Sequence, residues 1–103
     1  MNQLYPQQLV TDSLKIDQLV AALDALAQPC RLQIMLALSQ TGALPAGVLQ
    51  QQLQLNIPIL SSHLTCLQEQ RLLSSQQRGH EQYYALADAS LIQVMRLIQT
   101  NYM

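Results

Sequence analysis

Prolines at positions 29, 45 and 58 divide an otherwise helix-favouring chain, and this punctuation constrains the fold more than any other feature of the sequence. Proline breaks a helix interior but costs nothing in the first turn, where its missing N–H has no partner to lose. The residue before it avoids helical backbone angles. Each of these prolines therefore marks a helix start. A first helix is expected over 12–27, capped by Thr11 or Asp12, with Ile16, Leu19, Val20, Leu23 and Leu26 at helical spacing. A second runs from Pro29 to Ser39 and ends before Gly42. A short third runs from Pro45 to Gln52. After a tight turn at Leu55–Asn56, a fourth runs from Ile57 to Gln70, with Asn56 as its cap and Leu60, Leu64 and Leu67 on one face.

Beyond residue 70 the period changes. Leu72–Ser75 and Gln82–Leu86 read as two strands, with Tyr83 and Tyr84 as β-formers. A polar loop over 76–81 joins them, with Gly79 available for positive φ. Asp88 then caps a last helix reaching Tyr102. The expected fold is mainly α with a small β-hairpin: a winged helix-turn-helix of five helices and a two-stranded wing.

The chain has 103 residues, enough for one domain, expected over 12–103 behind a flexible arm over 1–11. Half of the residues are apolar but only 11% are charged; 18 glutamines supply much of the polarity beside 21 leucines. The N-terminus lacks a basic flank before an apolar run, and no run of about 20 apolar residues occurs, so neither a secretory signal nor a membrane span is expected. Two cysteines are too few for a disulfide framework and suit a reducing, cytoplasmic setting. The formal charge of −1 taken alone argues against nucleic acid, whose partners usually carry a basic footprint.

The order of elements argues the other way. In a helix-turn-helix the second helix enters the major groove with its N-terminal residues at the base edges. Here those residues are Asn56, Pro58, Ile59, Ser61, Ser62 and His63. The hydroxyls and the imidazole suit phosphates or bases, and Pro58 and Ile59 suit a thymine methyl. On the wing, Arg78, His80 and Gln82 are the expected DNA contacts, Arg78 foremost because a wing cation meets phosphate. The last helix carries more apolar surface than a monomer core needs.

Three runs carry a resemblance. Leu26-Ala27-Gln28-Pro29-Cys30-Arg31-Leu32-Gln33-Ile34-Met35 is the first, and Leu55 through Ser62-His63-Leu64 to Leu67 the second. Arg78-Gly79-His80-Glu81-Gln82-Tyr83-Tyr84-Ala85-Leu86 is the third. In this order and spacing the chain resembles the bacterial ArsR/SmtB-type winged-helix repressors from about residue 14 to 100. The resemblance implies a homodimeric repressor that binds double-stranded operator DNA and pairs through its first and last helices, with Leu19, Leu23, Leu91, Met95, Ile98 and Tyr102 as the expected contact; this accounts for the wide apolar surface of the last helix.

The resemblance also implies a sensor, but its usual sites are not present. The arsenic-type site needs Cys-x-Cys at the start of the third helix, where this chain reads Leu44-Pro45-Ala46-Gly47. The zinc-type site needs Asp and His near the start of the last helix, with His and a carboxylate further on. Asp88 is present, but 89–103 contain no His, Asp or Glu. No metal and no cofactor is expected. Cys30, beside Arg31 in the first turn of the second helix, and Cys66, one turn past His63, are the candidate thiol sensors. Two plainer roles stand beside this: Cys66 as a small apolar core residue, and Cys30 as a replacement for a small polar one. No nucleophile, base and orienting group converge in the pattern, so an enzyme is not expected. The alternative is a winged helix turned to protein interaction, with weak or no specific DNA binding.

Overall fold

The computed structural model describes residues 12–103; the expected arm over 1–11 lies outside them. Helix α1 (Ser13–Leu26) starts at Asp12, whose carboxylate accepts from the N–H groups of Leu14 and Lys15. Helix α2 (Pro29–Thr41) opens on Pro29, with the Gln28 side chain accepting from Arg31 N–H at 2.9 Å. It turns 89° from α1. Gly42, at φ +83°, ends it, a backbone setting that favours glycine.

A two-residue strand, β1 (Leu44–Pro45), precedes α3 (Ala46–Leu53). Pro45 therefore belongs to a strand and caps α3 rather than opening it. Helix α4 (Ile57–Glu69) follows a turn in which Gln54 takes the left-handed conformation at φ 55°. Strands β2 (Leu73–Arg78) and β3 (Glu81–Leu86) form the hairpin, and α5 (Ala89–Tyr102) closes the chain from its Asp88 cap.

The architecture is the winged helix-turn-helix, with one correction. The sheet has three strands in the order β1-β3-β2, all antiparallel, because Leu44 and Pro45 pair with Tyr84 and Tyr83. Two residues joining helices gave no period to read. Pro45 is tolerated there because β1 is an edge strand. The wing loop is also shorter than expected. Arg78 pairs with Glu81, so the strands run on through 76–78 and only Gly79 and His80 turn the chain. Gly79 sits at φ +61° at the first central position, as the preferred two-residue hairpin turns require.

The core joins α2, α3, α4, the hairpin base and α5. Ile34, Met35, Leu38, Leu49, Leu60, Leu67 and Met95 are its fully buried large side chains. Helix α1 gives it only one buried residue, Ala25. Helix α1 packs on α2 and α4, and α5 on α2 and β3. No single helix among the described residues is long and apolar enough to cross a membrane.

Candidate nucleic-acid interface

The start of α4 is built by its cap. Asn56 Oδ1 accepts from Ile59 N–H at 2.9 Å, and Pro58 follows in the first turn. Leu60, Leu64 and Leu67 anchor the buried side in the core. Pro58, Ile59, Ser61 and Ser62 are exposed away from it, while Ile57, also exposed, lies on the side of Leu60 and Leu64, at a hollow beside Tyr84. This is the arrangement by which the second helix of the motif reaches base edges.

His63 differs from its neighbours. It is half-buried, and its Nδ1 accepts a hydrogen bond from Arg31 Nε at 3.2 Å. The same guanidinium reaches Ala25 O at 3.5 Å through Nη1, so Arg31 ties α4 to the end of α1. Burial, and then the Arg31 charge, hold the His63 pKa below 6.5. The ring is therefore neutral near pH 7, with its remaining proton on Nε2. Nothing in the local sequence announces this pair, whose members lie 32 positions apart.

On the wing, Arg78 is held from two sides. Its Nε and Nη2 both donate to Gln76 Oε1, at 3.3 and 3.2 Å. Its guanidinium carbon lies 4.6 Å from the centre of the Tyr83 ring, within cation–π range. The register explains the cluster: Gln76 pairs with Tyr83, and Arg78 lies two residues along the same face. Tyr84, on the other face, packs against the core. Of the five N–H groups of an arginine, these bonds leave the two on Nη1 and one on Nη2. That edge matches the two oxygens of a phosphate. His80 is exposed in the turn, and Gln82 is half-buried on β3. Gln76 and Tyr83 were missed as supports because the wing loop was read too long; a two-residue turn fixes their register.

Arg71 stands apart from this surface. It lies beyond the C-terminal end of α4, beside a hollow of about 290 Å³ lined also by Gln18, Glu69 and Gln70. A second hollow, of about 200 Å³, lies at the junction of α3, α4 and β3 and is lined by Ala46, Ile57, Leu60, Ser61, Leu64 and Tyr84.

The expected pairing surface divides. Met95 is 0% exposed within a single chain and belongs to the core, so it has no surface to offer a partner. Leu91 and Ile98 are half-buried against that core. Leu19, Leu23 and Tyr102 are exposed, Leu23 at 55%. Val20 on α1, with Val94 and Leu97 on α5, are exposed too and were not anticipated; Leu97 is 64% exposed. One turn of α5 thus sends Met95 inward while Val94 and Leu97 face outward. Cys30 and Cys66 are both free thiols and half-buried, and Cys66 packs against the core. Among the described residues, no three His, Cys, Asp or Glu side chains gather as a metal site would require.

The model of the family "Bacterial regulatory protein, arsR family" matches residues 28–75, from the cap of α2 into β2. Over these residues the chain is similar to the arsR family. No curated protein matches its sequence. Solved structures similar to this chain include HlyU from Vibrio cholerae, 26% identical with a TM-score of 0.79, covering 91% of this chain and 98% of that one. HlyU from Vibrio vulnificus, a transcriptional regulator, is 28% identical with a TM-score of 0.75, covering 88% and 94%. The homodimeric winged helix-turn-helix DNA-binding domain of Mb0332 from Mycobacterium bovis is 26% identical with a TM-score of 0.80, covering 93% and 88%. The matched model thus describes bacterial regulatory proteins, and the Vibrio vulnificus neighbour is a regulator of transcription.

Proposed function

We propose that the chain is a homodimeric, sequence-specific DNA-binding repressor, formed by 12–103 as one domain. The observation that carries this is the pairing of an exposed, capped recognition helix with a wing whose arginine is already oriented. Asn56, Pro58, Ile59, Ser61, Ser62 and the Nε2 edge of His63 face the groove; Arg78, His80 and Gln82 serve the wing. The partner is double-stranded operator DNA, with half-sites about one helical turn apart, ~34–36 Å.

Dimerisation rests on the exposed leucines and valines of α1 and α5, which pack on the rest of the fold with their other faces. Leu19, Leu23, Leu91, Ile98 and Tyr102, with Val20, Val94 and Leu97, form the proposed contact. In a two-fold interface each residue acts twice. Burying a leucine side chain contributes about 1.5–3 kcal/mol, so Leu97→Glu weakens the dimer about a hundredfold or more.

Footprinting on the DNA upstream of the chain's own gene, beside sedimentation of wild type and Leu97→Glu, tests the reading. The expected result is one protected, partly palindromic site for a dimer, lost with dimerisation in the variant. No protection at micromolar protein overturns it and favours the protein-interaction alternative. A thiol response is a second part of the proposal. It is supported by the placement of Cys30 and Cys66 on the two helices that Arg31 and His63 join. If Cys30→Ser, Cys66→Ser protein binds and releases DNA like its parent under oxidant, sulfide and arsenite, this part fails.

A further inference from the structure

The first two turns of α4 present an unusual set of chemistries for a recognition helix. Ile57 is 51% exposed and Ile59 45%, and Pro58 between them is exposed as well. Ser61, Ser62 and Thr65 complete the exposed positions up to residue 65. None of them is Arg, Lys, Asn or Gln. Asn56, at the entrance, has its oxygen committed to the cap. His63 has Nδ1 committed to Arg31.

These facts remove the usual means of reading bases. Guanine is read by a bidentate Arg or Lys, and adenine by a bidentate Asn or Gln. A serine hydroxyl accepts from or donates to several bases and discriminates little. The feature of the major groove that an apolar side chain reads is the C5 methyl of thymine. Exposed isoleucines also cost free energy in water, which a groove rich in methyl groups relieves.

We infer that the recognition helix reads its half-site through thymine methyl groups, with Pro58 and Ile59 as the residues that set specificity. The operator therefore carries thymines where the start of α4 enters the groove. This rests on the DNA-binding reading above and specifies what that reading recognises. Pro58 and Ile59 lie in the first turn beside the Asn56 cap, at the end of the second helix that enters the major groove.

The test begins with a duplex selected by the dimer from a random-sequence pool. Each half-site thymine is then replaced by deoxyuridine, which deletes the methyl and leaves the hydrogen-bonding edge unchanged. Burial of one methyl corresponds to about a fourfold change in affinity. The expected loss is thus about fourfold per contacted thymine and about fifteenfold when both half-sites are changed. In Ile59→Ala protein the penalty for deoxyuridine under Ile59 disappears, because the contact is already gone. Ile59 is exposed and its cap bond uses backbone N–H, so circular dichroism of the variant matches the parent. Deoxyuridine without effect at every position, with loss instead from 7-deazaguanine, overturns the inference while leaving DNA binding intact. A pool that yields no selected sequence overturns the DNA-binding reading itself.

Discussion

The salt dependence of DNA binding follows from where the five lysines and arginines lie. Lys15 is on α1 and Arg96 on α5, the helices proposed for dimer contact. Arg71 is beyond the far end of α4, about 20 Å along the helix from Ile57. Arg31 is half-buried between Ala25 O and His63, beside α4, and we assign it the second phosphate contact of each subunit. Arg78 is exposed on the wing with one edge free. Two cations per subunit, four per dimer, are thus in place to neutralise phosphates.

Each neutralised phosphate contributes about −0.9 to the slope of log K against log salt. Four contacts give a slope near −4, and raising salt from about 50 to 200 mM weakens binding about 150-fold. Arg78→Ala removes one contact per subunit. Its slope falls to about −2, and the same salt change weakens it only about twelvefold. Arg71→Ala leaves the slope unchanged. Fluorescence anisotropy with a labelled operator duplex at five salt concentrations measures all three. A wild-type slope near −10 would show that this placement of the cations is wrong. An Arg78→Ala slope equal to wild type would show that the wing does not touch phosphate. The remaining affinity comes from hydroxyls, amides and helix N-termini, whose contacts release no counterions.

Three further outcomes are expected. Arg71 holds φ 59° where α4 ends, with Leu72 N–H bonded to Leu67 O and Arg71 N–H to Gln68 O, both at 2.9 Å. Glycine relieves about 1–2 kcal/mol of left-handed strain against about 0.5–1 kcal/mol of added unfolded-state entropy. Arg71→Gly therefore raises stability by about 0.5–1 kcal/mol in a urea melt, and a loss of stability contradicts this. His63 titrates below 6.5 by proton NMR and moves upward in Arg31→Gln. With the folded pKa depressed, its contribution to stability is present above pH 6.5 and is lost as pH falls through the folded value; a wild-type midpoint above 6.5 rules out this account. Tyr83→Phe keeps the ring under Arg78 and wild-type operator affinity, while Tyr83→Leu loses about two- to fivefold per subunit; equal behaviour of the two variants removes the ring's role.

What was legible in the sequence follows the range of the interactions. The three prolines, Asn56 and Asp88 act within four residues of themselves, and each marks a helix start where the structure has one, apart from Pro45. Pro45 was misplaced by one element because its role is set by Tyr83 and Tyr84, nearly forty residues away. Met95 was misassigned for a related reason. Periodicity shows that α5 is apolar around much of its girth but not which side meets α2. Only the packed structure assigns Met95 inward and Leu97 outward. The Arg31–His63 bond has no local signature at all.

The low charge, which alone spoke against nucleic acid, now has a structural counterpart. The recognition helix carries no exposed cation over residues 57–65, and the wing carries Arg78, already fixed by Gln76 and Tyr83. A side chain held before binding loses less conformational entropy when a phosphate arrives. A few pre-set contacts can therefore replace a broad basic surface. Such a protein gives up non-specific affinity, which is almost wholly electrostatic, and keeps the part that depends on the shape and methyl pattern of one site. Discrimination between operator and bulk DNA then comes from weak binding elsewhere as much as from strong binding at the site.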